Sequence, residues 1–226
     1  MALGGPPARP GGACQCERDF ELDDLLLSEW ADACKLLQAA LTSPDPDAYL
    51  GVRASWQRVE QTIRAVLGDA GALPLADDDS AFLRALAAGE EQLPTELLER
   101  LATDPALIVR LAAAGNPHTP SSALAVLYRE GPWHVRVELA GNPSVPGWML
   151  SSLAADRFAP VRAAVARQHV RDAILAQLAA DKDWRVRAAA ASNTSLAAER
   201  LKELGSDTDA RVASAARKTM ALTRQR

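Results

Sequence analysis

One pair of residues, Val-Arg, returns along this chain at an almost constant interval. It stands at Val109-Arg110, Val135-Arg136, Val161-Arg162 and Val186-Arg187, with steps of 26, 26 and 25. Val212 lies 26 further on with Ala213 in place of the Arg, and Leu83-Arg84 lies 26 before the first pair. Three further ladders keep the same register. An acid stands five residues before each apolar anchor, at Asp78, Asp104, Glu130, Asp156, Asp181 and Asp207. One leucine series runs Leu98, Leu124, Leu150, Leu175 and Leu201, and another Leu101, Leu127, Leu153, Leu178 and Leu204. A fixed period shared by several ladders is the signature of a repeat architecture.

Each unit reads as two short helices. The acid is expected at an N-cap, followed in one copy by Pro105 at the first helical position. The Val-Arg helix then carries small residues, Ala112 to Ala114 or Ala188 to Ala191, which let backbones approach closely. It ends at Asn116-Pro117, Asn142-Pro143 or Asn193. Thr119-Pro120 is expected to start the next helix as N-cap and first residue, with Leu124 and Leu127 facing the core. About 26 residues in two helices cannot bury their own apolar face, but neighbouring copies can cover one another. The expected fold is all-α, an α-solenoid of about six 26-residue repeats over residues 78–226, the last copy acting as a C-terminal cap.

The pattern Leu-Ala-x-Asp-x-x-x-Val-Arg, followed by Asn-Pro, Pro and two leucines, resembles the leucine-rich repeat variant family of bacterial proteins. Residues 101–153 carry it best: Leu101-Ala102-Thr103-Asp104, Val109-Arg110, Asn116-Pro117, Pro120, Leu124 and Leu127. The resemblance covers about residues 78–226. It implies a right-handed, HEAT-like superhelix of alternating α and shorter, 3₁₀-like helices, a right-handed α-solenoid, and says little about chemistry. Gln168-His169 departs from the pattern where Asn-Pro is expected.

The rest of the chain differs. Residues 1–19 are rich in Gly and Pro and read as a flexible tail. Residues 20–70 read as a helical hairpin, with Leu26, Trp30, Cys34, Leu37 and Leu41 on one apolar face and Leu50, Ala54, Val59, Ile63 and Leu67 on the other. Residues 71–77 read as a linker. No run approaches the roughly 18 apolar residues of a membrane span, and no secretory leader is recognisable, so the expected location is cytoplasmic.

Charge is unevenly placed. Residues 1–77 hold 6 basic and 12 acidic residues, residues 78–226 hold 19 and 17, and residues 101–226 hold 17 and 11, a net of +6. Such a gradient suits nucleic acid, an acidic protein, or a solvated surface. The Arg ladder, Arg84, Arg110, Arg136, Arg162 and Arg187, has two readings. It is a row of cations for phosphate or an acidic partner, or each Arg bridges the acid ladder or helix-end carbonyls between neighbouring repeats.

Cys14, Cys16 and Cys34 suggest a metal or iron–sulfur site, which the family resemblance raises because one member carries an N-terminal cluster. The fourth cysteine is missing, and Cys34 falls on an apolar helical face where a buried thiol is ordinary. No cofactor is therefore expected, with iron–sulfur or zinc as the alternative. His118, His134 and His169 are scattered, and no nucleophile motif, phosphate loop or HExxH pattern appears; no enzyme is expected. Because the consensus specifies packing, recognition residues belong at positions that vary between copies. Trp133, His134, Trp184 and Arg185 form the expected partner-binding stripe, since Trp and Arg dominate binding energy; its rival has both tryptophans filling gaps between repeats. The expected function is a non-enzymatic scaffold that binds another protein, with nucleic acid as the alternative partner and a metal protein as the second alternative.

Overall fold

The computed structural model describes residues 74–90 and 93–223, together with residues 32–33, 35–37, 39–43, 45, 47–53 and 56. The tail at 1–19, Cys14, Cys16, Cys34 and residues 71–73 of the linker lie outside the described residues. Among those described there is no strand. The chain divides into two compact units, residues 1–84 and 85–226.

In the first unit, helical residues up to 42 and from 47 onward flank non-helical residues 43 and 45. Ala33, Leu37 and Ala40 are buried at a spacing of three to four, one helical face. Tyr49 and Trp56 are buried seven residues apart, while Leu50 is only half-buried. Of the expected face through Leu50, Ala54, Val59, Ile63 and Leu67, only Leu50 lies among the described residues. Trp56 meets Phe82 at 5.9 Å between ring centroids. A 3₁₀ turn, Pro74–Asp77, precedes helix α1, Ala81–Ala88.

The second unit alternates two kinds of helix. The Val-bearing ones are α3 (Leu107–Gly115), α5 (Trp133–Gly141), α7 (Ala159–Ala166), α9 (Trp184–Ala191) and α11 (Ala210–Thr223). Between them run α2 (Thr95–Leu101), α4 (Ser121–Glu130), α6 (Gly147–Leu153), α8 (Asp172–Ala179) and α10 (Ala198–Leu204). α3 packs on α5, α5 on α7, α7 on α9 and α9 on α11, making one layer. The Leu-bearing helices lie against it, α4 on α5, α8 on α9 and α10 on α11.

Packing explains the ladders. Val109, Val135, Val161, Val186 and Val212 are all fully buried, each worth about 1.5–3 kcal/mol of transfer free energy. Leu101, Leu127, Leu153, Leu178 and Leu204 are buried without exception. In the other series Leu98, Leu124, Leu175 and Leu201 are buried, but Leu150 is only half-buried. Met149, one position earlier, is fully buried instead. The equivalent position of the preceding copy, Ala123, is buried as well.

Helix entry also differs from expectation. The N-caps are Ala106, Phe158 and Asp183, two residues after the acids. Asp104, Asp156, Asp181 and Asp207 each accept the N–H two residues on, at 2.8 Å from Ala106, Phe158, Asp183 and Asp209. That is an Asx turn leading into the helix, not a cap on it. Likewise Pro120 is the N-cap of α4, and the buried Thr119 hydroxyl donates to Ala113 O at 2.6 Å.

Asparagines join the units. Asn116 Nδ2 donates to Ala88 O and Glu90 O, at 2.8 and 2.7 Å. Asn142 does the same to Ala114 O and Asn116 O, both at 2.8 Å, and Asn193 to Ala166 O and Gln168 O, at 2.8 and 2.9 Å. Each Oδ1 accepts its own turn's N–H, from His118, Ser144 and Ser195. Every asparagine thus closes its own turn and fastens it to carbonyls of the preceding unit.

Candidate functional site

The Arg ladder lies where one Val helix meets the entry turn of the next unit. Each guanidinium reaches back to the loop entering its own helix. Arg84 Nη1 donates to Asp78 O and Asp79 O, Arg110 to Asp104 O and Pro105 O, and Arg136 to Gly131 O. Arg162 meets Asp156 O and Arg157 O, and Arg187 meets Asp181 O and Lys182 O.

Arg136, Arg162 and Arg187 also grip the next unit's acid through both remaining nitrogens. Arg136 binds Asp156 at 2.6 and 3.3 Å, Arg162 binds Asp181 at 2.6 and 2.8 Å, and Arg187 binds Asp207 at 2.8 and 3.0 Å. This is planar, bidentate Arg–carboxylate geometry. The Arg162 and Asp181 side chains are only 8% and 11% exposed. Burial pushes the Asp181 carboxyl up, but hydrogen bonds from Arg162 and the Asp183 N–H outweigh it, so its pKa falls. Arg187 holds the Asp207 carboxyl below its ordinary value. These three forks leave no open edge for a phosphate, so the phosphate-ladder expectation fails at Arg136, Arg162 and Arg187.

The expected stripe divides in two. Trp133 stacks on His134 at 3.8 Å and on Phe158 of the next unit at 6.0 Å. His134 is 5% exposed, so it is an interior residue and not part of a surface. Trp133 remains half-buried. Trp184 lies beneath two guanidiniums, Arg211 at 3.3 Å and Arg185 at 4.9 Å from the ring centre. Those side chains are 40% (Arg185) and 62% (Arg211) exposed. Both tryptophans therefore touch the next unit and keep an edge in solvent.

Two more aromatic features stand beside these, and the first was not anticipated from sequence. Phe158 carries Arg157 at 4.7 Å over its ring and continues the row from Trp133. It occupies the N-cap position where other copies have Ala106, Pro132 and Asp183, so variation between copies was the available signal. On the Leu-bearing helices, Trp148 is 58% exposed and meets Tyr128 edge-on at 6.0 Å.

Burial of His134 has a measurable consequence. Desolvation lowers its pKa from 6.5 to about 4. Above 6.5 the ring is neutral in folded and unfolded chains, and full stability is present. As pH falls from 6.5 to about 4, the unfolded chain takes up a proton that the folded one refuses, and stability drops by about 1–3 kcal/mol. Asp181 and Asp207 have lowered pKa values, so their contribution is lost only below the ordinary 3.8. Melting at pH 7.5 and pH 5 should show the loss in the native chain and little of it in His134→Leu. An equal loss in both would refute this assignment.

Among the described residues no cluster of His, Cys, Asp or Glu could hold a metal ion, and no helix is long and apolar enough to cross a membrane. Compared with known proteins, the chain matches no protein-family model and no curated protein sequence.

Proposed function

We propose that this protein is a non-enzymatic binding or scaffold protein, whose residues 78–226 form a right-handed α-solenoid of about six repeats of the leucine-rich repeat variant kind. The reading is supported by the shared register of the Val, Leu and Asn ladders and by the packing of each Val helix on the next. The partner is another protein, and it binds along the N-terminal ends of the Val helices.

The observation that carries this reading is the row Trp133, Phe158, Trp184, Arg185 and Arg211. It places half-exposed aromatic rings beside exposed guanidiniums at positions that vary from copy to copy. Aromatic rings and Arg are the side chains that concentrate binding energy. Arg136, Arg162 and Arg187 are already neutralised by carboxylates, which disfavours a phosphate-backbone partner.

The test is the double variant Trp184→Ala/Arg185→Ala against a partner captured from the native host. Partner capture should be lost while the melting temperature stays within about 5 °C of the native chain, a shift of no more than roughly 1–2 kcal/mol. Undiminished capture would contradict the reading. So would a much larger fall in melting temperature, because Trp184 would then be a packing residue.

A further inference from the structure

The Arg ladder has an open rung. At Arg136, Arg162 and Arg187 one nitrogen holds the entry loop, and the other two hold the next unit's acid. Arg110 makes only the first half, donating through Nη1 to Asp104 O at 2.6 Å and Pro105 O at 2.9 Å. The acid at the corresponding place is Glu130. Its carboxylate is 64% exposed and pairs at 3.2 Å with Arg129 beside it. Among the described residues no carboxylate meets Nε or Nη2 of Arg110.

The local sequence explains the gap. Asp156, Asp181 and Asp207 are held in place by the N–H two residues on. Two residues after Glu130 stands Pro132, which has no N–H to give. Glu130 is also still in the last turn of α4, whereas the three aspartates lie beyond the ends of their helices. Gly131 makes the crossing tight: a Cβ there would fall 2.3 Å from Leu127 O and 2.7 Å from Val135 Cγ1. The helix that follows, α5, has Pro132 at its N-cap and no side-chain cap.

We propose that Arg110 is the docking point for a carboxylate supplied from outside, an Asp or Glu side chain in an acidic segment of a partner protein. This rests on the protein-binding reading above. The neighbouring rungs show which group the free edge fits: a planar carboxylate taken by Nε and Nη2 at 2.6–3.3 Å.

The probe is a fluorescein-labelled Gly-Asp-Glu-Asp-Gly peptide, followed by fluorescence anisotropy on the full chain at low salt. Arg110→Gln should weaken binding by about five- to tenfold, the scale of one charge-assisted contact on a half-exposed surface. The double variant Glu130→Asp/Pro132→Ser restores the Asx turn and offers Arg110 an internal carboxylate. It should weaken binding equally while leaving the arginine in place, which guards against a folding defect in Arg110→Gln. Lys202→Gln, which removes an exposed cation on α10, should change binding by less than about twofold.

Absence of peptide binding, indifference to both Arg110 and the restored turn, or an equal loss in Lys202→Gln would each overturn the proposal. Orthophosphate displacing the peptide better than acetate at matched ionic strength would overturn the assignment to a carboxylate. Failure here, with partner capture still lost in the Trp184/Arg185 variant, removes the Arg110 anchor and leaves the scaffold reading intact.

Discussion

Asn142→Ala is expected to destabilise the protein by about 3–4 kcal/mol, more than any surface substitution in the chain. Asn142 is 4% exposed and makes three hydrogen bonds. Two of them reach Ala114 O and Asn116 O across the boundary with the preceding unit. Alanine leaves two carbonyls and the Ser144 N–H without their side-chain partner in a buried place, and each such loss costs about 1–3 kcal/mol. Urea unfolding gives the number. Ser144→Ala, which removes only a surface bond to Pro117 O, is the comparison and should cost well under 1 kcal/mol. A loss below about 1 kcal/mol in Asn142→Ala would mean that the clip adds nothing to the union of the units.

Asp181→Ala is expected to cost about 3–5 kcal/mol, because it leaves the nearly buried Arg162 guanidinium without its carboxylate. Removing the pair together is a different matter. Arg162→Met/Asp181→Leu takes away both desolvation penalties and should recover most of the loss. Chemical denaturation of the wild type, both single variants and the double variant closes the cycle. If the two single losses simply add in the double variant, the rung is not a coupled pair and the structural reading of the Arg ladder fails.

How far these features were legible depended on what each residue bonds to. The Val and Leu ladders announced themselves because burial selects the residue type, and Val109 through Val212 all prove to be interior. The Arg–Asp rungs were legible as one of two readings, since both partners recur in register. The asparagine clip was not. Asn116, Asn142 and Asn193 looked like helix ends, because their long-range acceptors are backbone carbonyls, which no side chain advertises. The same limit hid the entry turns. An Asx turn and an N-cap call for the same acid, and only the two-residue offset between Asp156 and Phe158 tells them apart.

The candidate site was half legible. Trp184 and Arg185 were visible as bulky departures from the consensus, and the structure puts the guanidiniums of both Arg185 and Arg211 over the Trp184 ring. His134 shared that signal but points inward, because a single residue on the Val helix shifts the side chain by about 100° around the axis. Leu150 and Met149 differ in the same way. The open fork at Arg110 could have been suspected from Glu130-Gly131-Pro132, the one acid-ladder position with Pro two residues on, but only the neighbouring rungs give it meaning.

The central claim is that each unit is an interchangeable block held to its neighbours by the same few contacts. Deleting residues 157–181 tests it most directly, since this is one unit of 25 residues and contains Gln168 in the place of the asparagine clip. The deletion joins Asp156 to Lys182, so Asp156 meets the Asp183 N–H and keeps Arg136, while Asn193 faces the carbonyls of Ala140 and Asn142. Nearest-neighbour stability predicts a folded chain with undiminished helicity per residue and one cooperative melting transition. A chain lacking residues 157–175, out of register, should lose that transition. If the in-register deletion melts no more cooperatively than the out-of-register one, the units are not blocks and the account is wrong.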